Sequence, residues 1–412
     1  MLAMFRRGLF YAYLSIYLRH YLGLSVTETT LFATCPMVLN ILAQTFVWGK
    51  ISDRFQLRRT LIIVGELLAA VGTVIIWYVH RLFIDPVTAG YAIIIGLTVI
   101  EIFWSMSNIS WSALVSDIYD EKERSQIQGR LSSMGGLGRM AGIWIGGLLY
   151  DGLGFKYLGW GFYEGALFFV AAGVMSISTV PLFFLPEGGI RDNPSPSHTN
   201  SRTVGGPATI TIYFAFLAGM AFINFGRNSI AIVFAQYLTL PSDLALSSQT
   251  LSHIFNTQSL AIVVLGWLAG GISRQLGNGM TLLTGTATAI AALILLVWTT
   301  SVPMLYACSF LRGIGDVLIM AAAYTIASTL IPPAKRGRLF AWYNGTFFLS
   351  FGLGGTLIAG PIVDGLIARG YSQSWAYQMS FAAAAGISAI GLFIQAALYY
   401  YLKRQSYESN RN

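Results

Sequence analysis

The sequence predicts an all-α integral membrane protein with twelve transmembrane helices in two pseudo-symmetric six-helix bundles. Three observations carry this prediction. Hydrophobic residues make up 55% of the 412 residues and charged residues only 10%, whereas soluble domains carry about 25% charged residues. Apolar segments long enough to cross about 30 Å of hydrocarbon recur along the chain. The second half of the chain also repeats landmarks of the first half.

Twelve apolar segments have the length of a membrane-spanning helix, about 20 residues. Strands of a β-barrel are excluded because they are short and alternate polar with apolar residues. We place the spans near residues 3–23, 30–49, 60–80, 88–115, 130–150, 162–185, 208–239, 248–272, 279–300, 302–329, 339–366 and 375–402.

The segment between the sixth and seventh spans is rich in proline and poor in apolar residues, which is typical of a solvated linker. It divides the chain into two bundles with a short tail. The predicted parts are an N-terminal bundle at 1–185, a cytoplasmic linker at 186–207, a C-terminal bundle at 208–403 and a cytoplasmic tail at 404–412. Both cysteines lie inside apolar spans, so we expect neither a disulfide nor a metal site.

An ungapped repeat relates the first and seventh spans. Phe5, Arg7, Tyr17 and Leu18 recur as Phe225, Arg227, Tyr237 and Leu238. Repeated hydrophobic halves are typical of secondary transporters. The seventh span has more residues ahead of its arginine than the first, so we expect that residues are missing ahead of the first helix. The alternative is that Arg6 and Arg7 lie near the inner surface and snorkel toward it.

The basic residues predict the orientation in the membrane. If the linker is cytoplasmic, sixteen of the 25 lysines and arginines lie on its side, four lie opposite and five lie within spans. Such a bias indicates an inner, plasma membrane protein with both termini in the cytoplasm. It also accounts for most of the net charge of +8 without nucleic acid as a partner.

The loop between the second and third spans carries a recognisable motif, GKISDRFQLRR, from Gly49 to Arg59. It resembles the signature loop of the major facilitator superfamily, whose pattern is Gly, three residues, Asp-Arg and then a basic pair. The resemblance covers the whole chain. It implies a conformational latch in which Asp53 pairs near the start of the eleventh span. The predicted latch residues are Gly49, Asp53, Arg54, Arg58, Arg336 and Arg338.

The fifth span contains GRMAGIWIGG, which is similar to the antiporter motif of that superfamily. The shared positions are Gly138, Gly142, Gly146 and Gly147, while Ile143 replaces the proline of the motif. The resemblance implies proton antiport. Glycines at four-residue spacing also form a smooth face for close helix packing, so ordinary packing remains the alternative.

Charged side chains inside spans mark the predicted solute site. A charge at the centre of a spanning helix costs about 2.5 to over 10 kcal/mol, so it is retained where it faces water or a partner. In the superfamily the first, fourth, seventh and tenth helices line the central cavity. In this chain those helices carry Arg6, Arg7, Glu101, Arg227, Arg312 and Asp316.

The solute site is predicted from these charges and their neighbours at helical spacing. Glu101, Trp104 and Asn108 share one helix face, and the placement of Arg7 and Arg227 resembles the paired arginines of organophosphate carriers. Arg312 could pair with Asp316 one turn away, or with Glu101. The predicted solute-binding residues are Arg7, Arg227, Arg312, Glu101, Trp104, Asn108, Asn228 and Tyr17. The surplus of positive charge on the four cavity helices favours an amphipathic organic anion.

Energy coupling is predicted to come from protons. The chain lacks the nucleotide-binding pattern GxxxxGK[ST], which argues against ATP-driven transport. A buried carboxylate can bind a proton in one state and release it when an arginine approaches. The candidates are Glu101 and Asp316, with Glu66 behind them. Uniport or anion exchange would leave these carboxylates structural.

The sequence therefore predicts a secondary transporter that works by alternating access, with proton-coupled antiport or efflux as its mode. The alternatives are a multidrug exporter, an organic anion or organophosphate carrier, and a transporter-like receptor. The four histidines are scattered without a catalytic spacing, so an enzyme is not expected. We expect a monomer in the lipid bilayer, with a small-molecule solute and protons as partners and with no cofactor or metal.

Overall fold

A computed structural model describes residues 1–118, 121–188, 207–241, 243–299, 301–331 and 336–409. All regular secondary structure in these ranges is helical, which confirms the all-α prediction. The chain divides into two compact units. One unit comprises Met1–Ser197 and Ala235–Asn256, and the other comprises His198–Phe234 and Thr257–Asn412.

Eight α-helices lie in the described residues of the first part of the chain. They are α1 at Leu2–Ile16, α2 at Val26–Ala43, α3 at Gly49–Phe55, α4 at Arg58–His80, α5 at Pro86–Ile118, α6 at Glu121–Tyr150, α7 at Trp160–Tyr163 and α8 at Ala166–Ser178. Two of them continue into π-helical turns, at Tyr17–Tyr21 and Gln44–Trp48, and a 3₁₀ turn follows α8 at Val180–Phe184.

Eight further α-helices follow the segment predicted to be the linker. They are α9 at Pro207–Ser229, α10 at Val233–Leu238, α11 at Ser248–Leu276, α12 at Asn278–Trp298, α13 at Val302–Leu330, α14 at Arg336–Gly354, α15 at Gly360–Ala368 and α16 at Gln373–Ser409. A π-helical turn at Gly355–Ala359 joins α14 to α15. The predicted linker itself lies mostly outside the described residues.

Nine helices of the described chain are long and apolar enough to cross a membrane. They cover Val26–Ser52, Arg58–His80, Pro86–Trp111, Ala166–Phe184, Ile210–Leu238, Asn278–Trp298, Val302–Leu330, Trp342–Ala368 and Gln373–Gln405. The other three predicted spans, at 3–23, 130–150 and 248–272, are helical as well, within α1 and its π turn, α6 and α11. Large apolar side chains such as Val71 and Phe393 are exposed, as expected of a lipid-facing surface.

Glycines set the closest helix contacts in the first unit. A Cβ at Gly65 of α4 would lie 2.7 Å from the Phe103 carbonyl oxygen of α5. Real Cβ atoms do not approach a backbone oxygen that closely, so glycine is needed there for the two helices to meet. The contact brings the polar side chains of α4 and α5 within reach of each other.

The second unit has a continuous apolar core between α9, α12 and α13. Its largest members are Tyr213, Phe216 and Met220 of α9, which pack with Leu282 and Ile319. The Tyr213 hydroxyl donates a hydrogen bond to the Leu339 carbonyl at 2.6 Å, so the buried phenol is satisfied. This core fixes α9 and α13, the two helices that carry the buried charges of the unit.

Candidate functional site

The Glu101 carboxylate on α5 is tied to α2 by a chain of amides. Asn40 Nδ2 donates to Glu101 Oε1, and Gln44 Nε2 donates to Asn40 Oδ1 at 2.7 Å. Glu101 is only 8% exposed. Gln44 begins the π-helical turn at Gln44–Trp48, and such turns inside helices are frequent at functional sites. A buried acid thus connects through two amides to an irregular turn of a neighbouring span.

Trp104, one turn beyond Glu101 on α5, is buried between a carboxylate and two arginines. It is 2% exposed. Its Nε1 donates to Glu66 Oε1 at 3.0 Å, and Ser107 Oγ donates to the same oxygen at 2.8 Å. The Arg6 guanidinium carbon lies 3.1 Å from the indole centroid and that of Arg7 lies 4.9 Å away. These are cation–π contacts, and both arginines are half-buried.

A small cavity lies inside this first unit, against the charged cluster. Its volume is about 40 Å³, enough for about three water molecules. Arg6, Tyr11, Glu101 and Trp104 contribute its polar groups, and the rest of the lining is mainly apolar. The acid predicted to carry a proton therefore borders a space large enough for water.

In the second unit Arg227 of α9 and Asp316 of α13 form an ion pair. Gln258 Nε2 donates to the other Asp316 oxygen at 2.8 Å, and Arg227 Nε donates to Asn224 Oδ1 at 3.1 Å. Arg227 is 7% exposed and the Asp316 side chain 20%. The pair is desolvated on the arginine side and accessible on the carboxylate side.

The sequence left open whether Asp316 would pair with Arg312 one turn away on the same helix. Asp316 instead receives Arg227 and Gln258. The buried Arg312 guanidinium carbon lies 5.0 Å from the centroid of the Phe234 ring. Asn228, another predicted solute residue, donates to Ser350 Oγ at 2.8 Å.

Tyr17 and Asn108 have different surroundings from the charged residues. Tyr17 lies fully buried in the π turn after α1, stacked on Tyr21 with 4.9 Å between ring centroids and packed against Phe162. Asn108 is half-buried on α5, one turn beyond Trp104. The helix face predicted as one cavity wall therefore runs from the buried Glu101 and Trp104 to the half-buried Asn108.

The predicted latch loop is described in part. Gly49 begins α3 directly after the π turn, and Gln56 ends α3 in the left-handed region at φ 53°. Arg58 donates to Ser52 Oγ, and Arg59 pairs with Glu187 at 3.1 Å, while the Arg54 guanidinium lies over Phe55. The side chains of Asp53, Arg336 and Arg338 lie outside the described part of the chain, so the latch stays a prediction.

The glycines of the antiporter-like motif pack α6 against α1. A Cβ at Gly138 or Gly142 would overlap the carbonyl oxygens of Met1 and Phe5, and one at Gly146 would lie 2.6 Å from the Tyr13 ring. A Cβ at Gly147 would lie 2.9 Å from the Ser248 carbonyl oxygen and 3.0 Å from the Tyr13 hydroxyl. Close packing within the first unit is thus sufficient to account for these glycines.

The neutral partners of the charges were not predicted from the sequence. Asn40 and Gln44 serve Glu101, while Asn224 and Gln258 serve the Arg227–Asp316 pair. Their common signal is an amide inside an apolar span. Because a buried amide is costly without a partner, each of these residues could have been flagged by that cost, although its partner could not.

Comparison with known proteins identifies the class. The profile of the Major Facilitator Superfamily matches residues 1–220 and 217–412. The chain therefore belongs to the Major Facilitator Superfamily, which confirms the sequence-based resemblance, and it is a membrane transporter of small molecules rather than an enzyme.

Solved structures of transporters share the fold at low identity. A bacterial homologue of the human lysosomal transporter Spinster matches at TM-score 0.73 and 15% identity, over 98% of this chain and 95% of its own. The nucleoside transporter NupG matches at TM-score 0.70 and 14% identity, over 97% and 96%. A POT family transporter in complex with a conjugated peptide matches at TM-score 0.68 and 14% identity, over 96% and 95%.

Proposed function

We propose that this chain is a proton-coupled carrier of a small amphipathic organic solute, with an organic anion as the favoured class, working by alternating access. The observation that carries the proposal is the pair of buried charge clusters, one in each unit. Each joins arginine to carboxylate in a low-dielectric site. Such groups are expensive to keep in a membrane and are retained where they serve transport.

The second unit is the favoured anion site. In the first unit Glu66 and Glu101 lie in the same cluster as Arg6 and Arg7 and balance their positive charge. In the second unit Arg227 is buried, and the Asp316 carboxylate that pairs with it is partly accessible. A solute anion could therefore take the place of the Asp316 carboxylate at Arg227. Phe234 and Phe347, over which Arg312 and Arg227 lie, could accommodate an apolar body.

Asp316 supports coupling to protons. When a solute anion takes over Arg227, the Asp316 carboxylate loses its charged partner, and an unpaired buried charge is costly. A proton on Asp316 removes that cost. Anion and proton would then bind together, which favours their movement in the same direction.

Antiport or efflux, predicted from the glycine motif, stays a second candidate. A lipophilic cation would compete with protons for Glu101 or Asp316, and such competition gives exchange. The geometry favours the first candidate because the glycines are accounted for by the packing of α6 on α1. The proposal includes an inner-membrane location with cytoplasmic termini, because of the basic-residue bias. It includes the Asp53 latch because of the loop motif. We also propose that the protein is a monomer.

A thermal-shift screen of the purified protein tests the solute class. The screen compares small organic anions with lipophilic cations and neutral compounds, on wild type, Arg227→Gln and the exposed control Arg274→Gln. We expect anions to stabilise wild type and the control but not Arg227→Gln. Stabilisation by lipophilic cations alone, retained in Arg227→Gln, would contradict the anion proposal. A counterflow assay in liposomes, with a labelled compound that stabilises the protein in the screen, distinguishes a carrier, which moves the compound, from a receptor, which only binds it.

A further inference from the structure

Glu66 is a buried carboxylate to which the proposed transport mechanism assigns no role. It lies on α4, is 7% exposed, and accepts two hydrogen bonds on one oxygen, from Trp104 and Ser107 of α5. The neighbouring Gly65 allows α4 to approach α5 closely enough for both bonds, since a Cβ there would meet the backbone of α5. The backbone is thus shaped to bring this acid onto the indole.

The indole in turn supports the arginines. Its N–H edge is held by Glu66, while one guanidinium lies 3.1 Å from its centroid and a second lies 4.9 Å away. A ring held at its edge cannot rotate freely, so the faces available to Arg6 and Arg7 are fixed. Arg6 also borders the cavity together with Glu101. Three helices, α1, α4 and α5, are connected through this one side chain.

Two carboxylates therefore share the same arginines. The charges of Glu66 and Glu101 both act on Arg6, with Arg7 as the second cation of the cluster. In a site of low dielectric, the attraction that an arginine gives to one acid is strongly affected by the charge of the other. If Glu66 loses its charge, the positive field at Glu101 increases.

We propose that Glu66 is a positioning residue for the proton site at Glu101. The Glu66 carboxylate holds the Trp104 indole, and the indole supports Arg6. Arg6 and the charge of Glu66 together determine how readily Glu101 takes up a proton. This inference rests on the proposed proton coupling, because it assigns the residue that tunes that coupling. It gives Trp104 a positioning role in place of the predicted direct contact with solute.

Infrared difference spectroscopy of the purified protein across a pH titration tests the inference without a solute. The signal is the C=O stretch of a protonated, buried carboxyl group. We expect wild type to show such a band and Glu101→Gln to lose it. Glu66→Gln keeps the acceptor oxygen but not the charge. The midpoint of the titration, which is the pH at which the band has half of its full intensity, should move to lower pH by about one unit in this variant. Glu66→Asp, which keeps the charge, should stay near the wild-type midpoint.

Two further variants separate position from charge. Trp104→Phe keeps a ring but loses the N–H group that Glu66 holds, so Arg6 is freed toward Glu101 and the midpoint should again fall. Glu187→Gln makes the same substitution at the Arg59 pair and should leave the midpoint unchanged. Monodisperse elution in size-exclusion chromatography confirms that each variant is folded.

The outcomes distinguish this inference from the function on which it rests. A wild-type protein without a titrating band, or a band that survives in Glu101→Gln, overturns the proton site at Glu101 and with it the role of Glu66. A band that depends on Glu101 but keeps its midpoint in both Glu66→Gln and Trp104→Phe overturns the role of Glu66 alone. A shift in Glu66→Gln without one in Trp104→Phe contradicts the route through the indole.

Discussion

Arg227 and Asp316 form an ion pair between α9 and α13, although they lie 89 residues apart in sequence. Two amides, Asn224 and Gln258, hold one member each. In this arrangement the Asp316 carboxylate occupies the position at Arg227 that the carboxylate of a bound solute would take. The pair therefore links α9 and α13 within the second unit, and it is the point at which we propose that a solute anion competes.

Removing one member of the pair should destabilise the protein more than removing both. Arg227→Gln or Asp316→Asn leaves a buried charge without its partner, at a cost of about 3 kcal/mol, whereas the double variant leaves none. Melting temperatures in detergent at one ionic strength measure this. We expect the double variant to melt above the Arg227→Gln single variant. Additive losses in the double variant would show that the two side chains do not interact.

Glu101→Gln should reduce the proton dependence of transport. Its amide keeps a hydrogen-bonding group for Asn40 but cannot take up a proton in the physiological range. The initial rate of transport of a labelled anion from the thermal-shift screen, measured from pH 5 to 8, should therefore depend less on pH in this variant than in wild type, with Asp316 as the remaining proton site. If the pH profile of Glu101→Gln matched that of wild type, the proton would have to be assigned to Asp316 alone or to no group at all.

Gly142→Ala should weaken the packing of α6 on α1. The new Cβ would overlap the Phe5 carbonyl oxygen, and overpacking of this kind costs about 1–3 kcal/mol. Gly386→Ala is the matched control, because its Cβ would meet nothing within 4 Å and alanine favours a helix. We expect a lower melting temperature for the first variant and an equal or higher one for the control. Equal melting of the two variants would contradict the packing role.

Ser25→Ala should destabilise the start of α2. The Ser25 hydroxyl accepts from the Glu28 amide at 3.2 Å, and Glu28 Oε2 accepts from the Ser25 amide at 2.7 Å, which is a complete capping box. Loss of such a cap costs about 1 kcal/mol. Ser25→Asn, which can still cap, is the control. Identical melting of Ser25→Ala and wild type would show that the box does not contribute.

Much of the architecture could be predicted from the sequence because it depends on local patterns. Apolar length predicts spans, and the repeat of Arg7 as Arg227 predicts related halves. The buried charges were also predicted, since a charge inside an apolar span is visible in sequence. Helical spacing, however, reports only neighbours on one helix. It offered Arg312 as a partner for Asp316, whereas the partner in the structure comes from another helix.

The exact surroundings of Trp104 could not be predicted for a similar reason. Its spacing from Glu101 placed the two on one helix face, which is compatible with a cavity wall. Its burial depends on Gly65, which lets α4 come close, and on Glu66, which accepts its N–H group. Contacts between helices depend on such paired features of shape and charge, and a single sequence does not show which features pair.

We propose that the movement of protons down their gradient drives the movement of the solute. The most direct test uses liposomes that contain the purified protein, the labelled anion that stabilises it best and an imposed pH gradient with its acidic side outside. We expect wild type to accumulate the anion inside the liposomes above its outside concentration while the gradient lasts. The double variant Glu101→Gln and Asp316→Asn, which lacks both proposed proton sites, should only equilibrate it. Equal accumulation with and without the gradient would contradict proton coupling.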